Sequence, residues 1–200
     1  MSMQPFERVT GVAAPLLLDD VNTDQIAPVT TAFDPDYAAL LFSRQRADPA
    51  FVLNRPQFRH PVVIVAGANF GCGSSRESAV WALAAFGFRV VVARSFADIF
   101  RENCIKNGVL PIALAPDDAV ALEQAIVAAD GAEPCTVDLA DGRIDAPGGL
   151  QVRFEIAPAE RDALLRGLDD IGLTLACADA IAEWEALARR EYPWLQEVGP

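Results

Sequence analysis

Pro61-Val-Val-Ile-Val-Ala66, the loop Gly67-Ala-Asn-Phe-Gly-Cys-Gly-Ser-Ser-Arg-Glu-Ser78 and the periodic stretch after it decide the fold. The first six residues form a short apolar run, as expected of a strand buried on both faces. From Ser74 to about Phe86, apolar Ala79, Val80, Ala82, Leu83 and Phe86 recur at the three- and four-residue spacing of a helix with one buried face. Gly87 stands where a glycine often ends a helix. The same unit then repeats as strand 88–93, helix 97–107 stopped by Gly108, strand 109–114 and helix 117–129. Strands alternating with helices predict a parallel sheet with helices packed on it.

Upstream, residues 12–18 read as a strand running into the polar cluster Asp19, Asp20, Asn22, Thr23 and Asp24. Residues 30–56 are irregular and rich in Asp, Arg and Pro, with a short helix predicted at 37–42. Downstream of Gly131 the pattern becomes β-rich, with strands at 135–139 and 150–156 and a hairpin signal at Asp141-Gly142. The second arm of that hairpin is ambiguous. Helices at 158–166 and 179–190 flank Gly167-Leu-Asp-Asp-Ile-Gly-Leu-Thr174, and residues 191–200 read as a weakly structured tail. Without repeats or linkers, residues 1–200 are expected to form one α/β domain, a parallel core with an added β segment.

Composition excludes several functions. The chain has 200 residues, a net charge of −12 and a pI near 4.4. Sixteen Lys and Arg supply no basic face for a nucleic-acid backbone. No apolar run approaches the ~20 residues of a membrane span, and residues 1–10 lack a cationic stretch followed by an apolar block. A cytoplasmic location is the expectation. Cys72, Cys104, Cys135 and Cys177 form no C-x-x-C pair, and the single histidine, His60, enters a strand beside Pro61. No metal is expected on this chain, so any catalysis would use hydroxyls, carboxylates and arginines, or a cofactor held elsewhere.

The loop 67–78 joins a strand to a helix, as phosphate-binding loops do, yet fits neither common type. A dinucleotide fingerprint from Gly71 requires glycine at 76, which is arginine, and a P-loop needs a lysine where the only one in the chain is Lys106. Ser74 and Glu77 match a capping box. The free N–H groups of a helix start favour a bound anion, and the Arg76 guanidinium can grip a carboxylate as a two-pronged fork. The same field would favour an ionised serine, a base able to take a proton from the carbon next to a carboxylate.

Residues 66–83, containing Gly-Cys-Gly-Ser-Ser-Arg-Glu, resemble the signature of the small-subunit family of 3-isopropylmalate dehydratase, in the aconitase superfamily. Four further stretches resemble that family in order: Val21-Asn-Thr-Asp-Gln-Ile26, Phe51-Val-Leu-Asn-Arg-Pro56, residues 95–108 and residues 167–174. The resemblance implies a swivelling α/β/β domain of the aconitase C-terminal type that caps a separate large subunit. It implies a 4Fe–4S cluster on that partner, with no cofactor on this chain. It also implies interconversion of 2- and 3-isopropylmalate by dehydration to 2-isopropylmaleate and rehydration, a step of leucine biosynthesis. By the same resemblance Ser74 is the base, Ser75 and Arg76 contact a substrate carboxylate, and Asp19, Thr23 and Asp24 belong to the segment reaching the site. The residues alone also allow Thr23 and Asp24 to be a polar turn, Arg101 and Lys106 a solvated helix face, and Cys72 a small buried filler. Asp98, Asn103 and Asn107 are expected to keep the fold, and Asp169 and Asp170 to fix a turn.

Three positions depart from the family pattern: Ser78 stands where a histidine is usual, residues 20–24 read Asp-Val-Asn-Thr-Asp, and residues 27–33 read Ala-Pro-Val-Thr-Thr-Ala-Phe. The last lies where the family discriminates the substrate's variable side chain. A paralogue acting on another 2-hydroxy diacid, or a non-catalytic binding module, therefore stays open from sequence.

Overall fold

The first strand is the seam of the molecule. In the computed structural model, which describes residues 3–33 and 35–195, β1 (Arg8–Leu16) belongs to two kinds of sheet at once. Its first half pairs antiparallel with β5 (Cys135–Asp138), Arg8 opposite Asp138 and Gly11 opposite Cys135. Its second half pairs parallel with β2 (Pro61–Ala66), Leu16 opposite Ala66, after a register shift between Val12 and Ala13. The parallel side continues through β3 (Val90–Ala93) and β4 (Leu110–Ala113). The antiparallel side continues through β6 (Arg143–Asp145) and β7 (Gln151–Arg153). The resulting seven-stranded sheet has the order β4-β3-β2-β1-β5-β6-β7.

Strand alternation divides the core into two. Ala14, Leu16, Ile64, Ala66, Val91 and Ala93 face one side. There they meet α3 (Glu77–Phe86) through Ala79, Val80 and Leu83, and α4 (Asp98–Lys106) through Phe100 and Cys104. Ala13, Val63, Val65, Val90, Val92 and Ile112 face the other, against Leu122 and Ile126 of α5 (Pro116–Ala129) and Leu164 of α6 (Pro158–Arg166). A strand buried on both faces reads as a continuous apolar run, which is why 61–66 stands out in the sequence. Two paired arginines clamp helices onto this frame. Arg94, just beyond β3, holds Glu123 of α5 at 2.8 and 2.6 Å, and Arg101 of α4 holds Glu160 of α6 twice at 2.7 Å. Arg101 is therefore a half-buried strut, not part of a solvated face; Lys106 is exposed and lies 3.4 Å from Asp170.

Several boundaries differ from expectation. β1 starts and ends earlier than 12–18, because the antiparallel partner captures residues from Arg8 onward. The β-rich part is a three-stranded meander, with Arg143–Asp145 as the second arm after the Asp141-Gly142 turn. Two short helices occupy segments read as turns: α1 (Thr23–Ile26) and α7 (Asp170–Leu175), with α2 (Tyr37–Leu40) between α1 and α3. Asp169 caps α7, its Oδ1 accepting from the Gly172 N–H at 2.7 Å, in line with its turn-fixing expectation. The expected tail is partly ordered: α8 (Ala178–Glu191) reaches Glu191 and a 3-10 turn covers Pro193–Leu195, while residues 196–200 lie outside the described residues.

Candidate active site at the carboxyl ends of the parallel strands

Parallel strands aim their carboxyl ends at one edge, where the following loops can share a site. Here the loops after β1, β2 and β3 are sewn together largely by backbone hydrogen bonds. The Gly67 N–H donates to Leu18 O at 3.1 Å, Asp20 N–H to Ala68 O at 2.9 Å, Gly71 N–H to Val21 O at 2.8 Å, and Thr23 N–H to Cys72 O at 3.0 Å. Phe70 N–H donates to Ser95 O at 3.0 Å, which brings in the loop after β3. Two non-glycine residues hold left-handed backbone here, Asp20 (φ 55°) and Asn69 (φ 55°), and the Asn69 amide donates to Asp20 Oδ1 at 2.7 Å. Asn and Asp tolerate that conformation better than most residues.

Gly71 shows how close the packing is. Its φ is +79°, and a Cβ built there would lie 2.1 Å from the Phe100 ring. That ring stacks with Phe96 and meets Phe70 edge-on at 5.4 Å, so a three-phenylalanine cluster supports the loop from below.

The helix start departs from the sequence expectation. Ser74 does not cap α3, and no Ser74–Glu77 capping box forms. The cap position is Arg76, in extended conformation (φ −141°, ψ 111°) and without a side-chain cap bond. The physical reason is tertiary: the buried Thr23 hydroxyl donates to Ser74 O at 2.7 Å, drawing that carbonyl towards α1 and away from a helical partner. Glu77 instead accepts from the Asn107 amide at 3.0 Å, and Asn107 Oδ1 accepts from the Trp81 indole N–H at 3.0 Å. The capping box that does form belongs to α1. Asn22 Oδ1 accepts from Gln25 N–H at 2.9 Å, while Gln25 Oε1 accepts from Asn22 N–H at 2.8 Å. The Asn-x-x-Gln spacing is the local sequence signal for it.

Each expected site residue has a definite place. Thr23, Ser75 and Arg76 line one hollow of about 230 Å³ with Gly71, Gly73, Asp98, Ile99 and Phe100. Asp98, expected only to keep the fold, thus borders the hollow. The Arg76 guanidinium donates to Asp24 Oδ1, so Asp24 holds the arginine in place and occupies one of its prongs. Ser74 is exposed on the bend before the helix, adjoining the hollow without lining it. Asp19 lies apart: its Oδ1 accepts from Ala68 N–H at 2.6 Å and serves to join the first two loops. Cys72 is half-buried rather than a buried filler, with Sγ 3.4 Å from Asp20 O. The positive end of α3 therefore adjoins Ser75 and the cap residue Arg76. Ser74 stands two residues before the cap, further from that end than a cap residue would be.

A second hollow, of about 310 Å³, adjoins the other side of Arg76. It is lined by Ala27, Pro28, Val29, Phe33, Tyr37 and Leu40 among others, and by Arg76 and Ser78 as polar groups from α3. Among the described residues no group of three or more His, Cys, Asp or Glu is placed to hold a metal ion. Burial pushes the Cys135 thiol up to about 12 and raises that of Cys104 still further, so neither is a ready thiolate ligand. These donors do not fit an iron–sulfur cluster. No helix among the described residues is long and apolar enough to cross a membrane.

Comparison with known proteins agrees with this fold. Residues 33–117 match the model of the aconitase C-terminal domain, and residues 170–198 match that of the C-terminal domain of the 3-isopropylmalate dehydratase small subunit. The chain is 48% identical to the 3-isopropylmalate dehydratase small subunit of Rhodospirillum centenum over 96% of this chain and 98% of that one. It is 47% identical to that of Azorhizobium caulinodans, over 96% and 100%. Among solved structures, 3-isopropylmalate dehydratase from Methanocaldococcus jannaschii superposes with a TM-score of 0.64 at 29% identity, covering 88% of this chain and 99% of that one. With relatives this similar along nearly their whole length, the chain belongs to the 3-isopropylmalate dehydratase small-subunit family of the aconitase type.

Proposed function

We propose that this chain is the small subunit of a two-chain hydro-lyase that interconverts 2-isopropylmalate and 3-isopropylmalate through 2-isopropylmaleate, in leucine biosynthesis. In this reading residues 1–200 act as one swivel domain in the cytoplasm, active only on a large subunit. The observation that carries it is the convergence on Arg76 of one hollow that carries the Thr23 and Ser75 hydroxyls and a second that is bordered by Val29, Phe33 and Leu40. A substrate with carboxylates and a branched aliphatic group needs both. The aliphatic side chains of Val29 and Leu40 in the second hollow suit an isopropyl group.

The geometry supports the following roles. Arg76, aligned by Asp24, presents its remaining N–H donors to a substrate carboxylate, and Ser75 adds a hydroxyl. Thr23 fixes the Ser74 carbonyl and with it the direction of the Ser74 side chain. Ser74 Oγ takes the proton from the carbon next to the carboxylate in dehydration and returns it in rehydration on the neighbouring carbon. A serine base needs positive surroundings to be effective, and the α3 terminus with Arg76 supplies them. In that assembly the Lewis acidity acting on the departing hydroxyl comes from an iron–sulfur cluster on the large subunit. Asp19 acts at one remove, by holding the loop after β1 against the loop after β2.

The test is to assemble the chain with the cluster-loaded large subunit of the same source and follow unsaturated-diacid absorbance from 2- and 3-isopropylmalate. Turnover of both supports the assignment. An assembled, cluster-intact complex that turns over neither, or prefers another 2-hydroxy diacid, overturns it.

A further inference from the structure

The last elements of the chain are unlike the rest. Of the sixteen exposed large apolar side chains among the described residues, eight fall between Ile171 and Trp194. Ile171, Leu175, Trp184 and Trp194 are each about two-thirds exposed. In α8, Ile181, Trp184 and Leu187 recur at three-residue steps on one side, yet only Ala188 is buried. The substantial packing of α8 is against the 3-10 turn that follows it. A lone helix of fourteen residues is marginal in water, so an amphipathic one this exposed lacks the surface that would stabilise it.

Its root is nevertheless fixed. Asp169 caps α7, Lys106 lies 3.4 Å from Asp170, and Gly167 fits so closely that an added Cβ would lie 2.5 Å from Met3 O. The segment therefore leaves the body at a set place and presents its apolar face outward.

We propose that this face, from α7 to the turn at Pro193–Leu195, is a surface by which the chain docks on its large subunit. The inference rests on the small-subunit reading. Eight such side chains offer roughly 800 Å², about one partner's share of a standard protein–protein interface. The body matches a family model named as a domain of aconitase, whereas residues 170–198 match one named for the small subunit itself. A domain covalently joined to its partner needs no docking device; a separate chain does. A second copy of this chain is the competing occupant, which sedimentation of the chain alone tests.

The experiment measures the Kd between this chain and the purified, cluster-loaded large subunit, with sedimentation of this chain alone. The double variant Trp184→Ser/Leu187→Ser removes exposed groups, so its helix content and thermal midpoint should match the parent. The expected results are a monomer in isolation, a Kd raised at least 100-fold by the double variant, and a Kd within twofold of the parent for Val127→Ser on α5. Adding the double variant above its new Kd should restore the parent kcat. An unchanged Kd overturns the proposal, as does a stable dimer of this chain that the same substitutions dissolve. If the parent chain itself fails to bind the large subunit, the small-subunit reading falls with it.

Discussion

The loops at the carboxyl ends of β1–β3 and the helices at the end of the chain solve opposite problems. The loops carry polar groups that must not move, and backbone hydrogen bonds spanning about fifty residues of sequence, with Asp19, Asn69 and Asn22 as side-chain ties, hold them. The terminal helices carry apolar groups and have almost nothing to hold. One region is finished within the chain; the other is completed only by a partner. The contrast teaches that preorganisation and incompleteness can be read from the same two quantities, satisfied hydrogen bonds and uncovered apolar area.

The largest effect is expected at Arg76. Arg76→Ala removes the charge-assisted fork and should lower kcat/KM about 10²–10³-fold in steady-state assays of the assembled enzyme, with assembly retained. Gly71→Ala attacks the frame instead. It needs a positive φ and a Cβ inside the Phe100 ring, so urea unfolding should show a loss of about 2–4 kcal/mol. Thr23→Val keeps shape and deletes the bond to Ser74 O. About 1–2 kcal/mol of stability and roughly tenfold in kcat should go, since a part-buried acceptor loses its donor and the serine its alignment.

The smallest effect sharpens the frame's electrostatics. The Arg101 hydrogen bonds hold the Glu160 carboxyl below its ordinary 4.5. Likewise, the Asp141 N–H and then Arg8 hold Asp138 below 3.8. A carboxyl depressed in the folded state stabilises it above the ordinary value, and that contribution is lost as pH falls through the lower folded value. Glu160→Gln should therefore destabilise the chain modestly at pH 7 and converge with the parent as the pH falls through the lowered folded value in pH-resolved melting curves. A constant difference across that range would contradict the ion-pair account.

The repeating strand–helix run from 61 to 129 was legible because strands buried on both faces and one-sided helices write their periods directly into the sequence. The seam was not, because β1 changes partners at Val12/Ala13, and its partners lie far along the chain. Ser74 shows the same limit. Its local pattern is a capping box, but Thr23 takes its carbonyl, and a contact between loops leaves no local trace. Asp98 joined the site for a similar reason: α4 follows the loop that Ser95 ties to Asn69, with Ser95 Oγ accepting the Asn69 N–H at 2.8 Å. The amphipathic pattern of α8 was readable, but periodicity does not tell a face buried in its own fold from one kept for another chain.

The proposed division of labour gives Ser74 the proton and Arg76 and Ser75 the substrate. It is tested most directly by Ser74→Ala in the assembled, cluster-loaded enzyme, measuring exchange of the substrate's carbon-bound proton with deuterated solvent beside substrate affinity. The account predicts exchange slowed about 10²–10⁴-fold at nearly unchanged affinity and assembly. Exchange at the parent rate would contradict it.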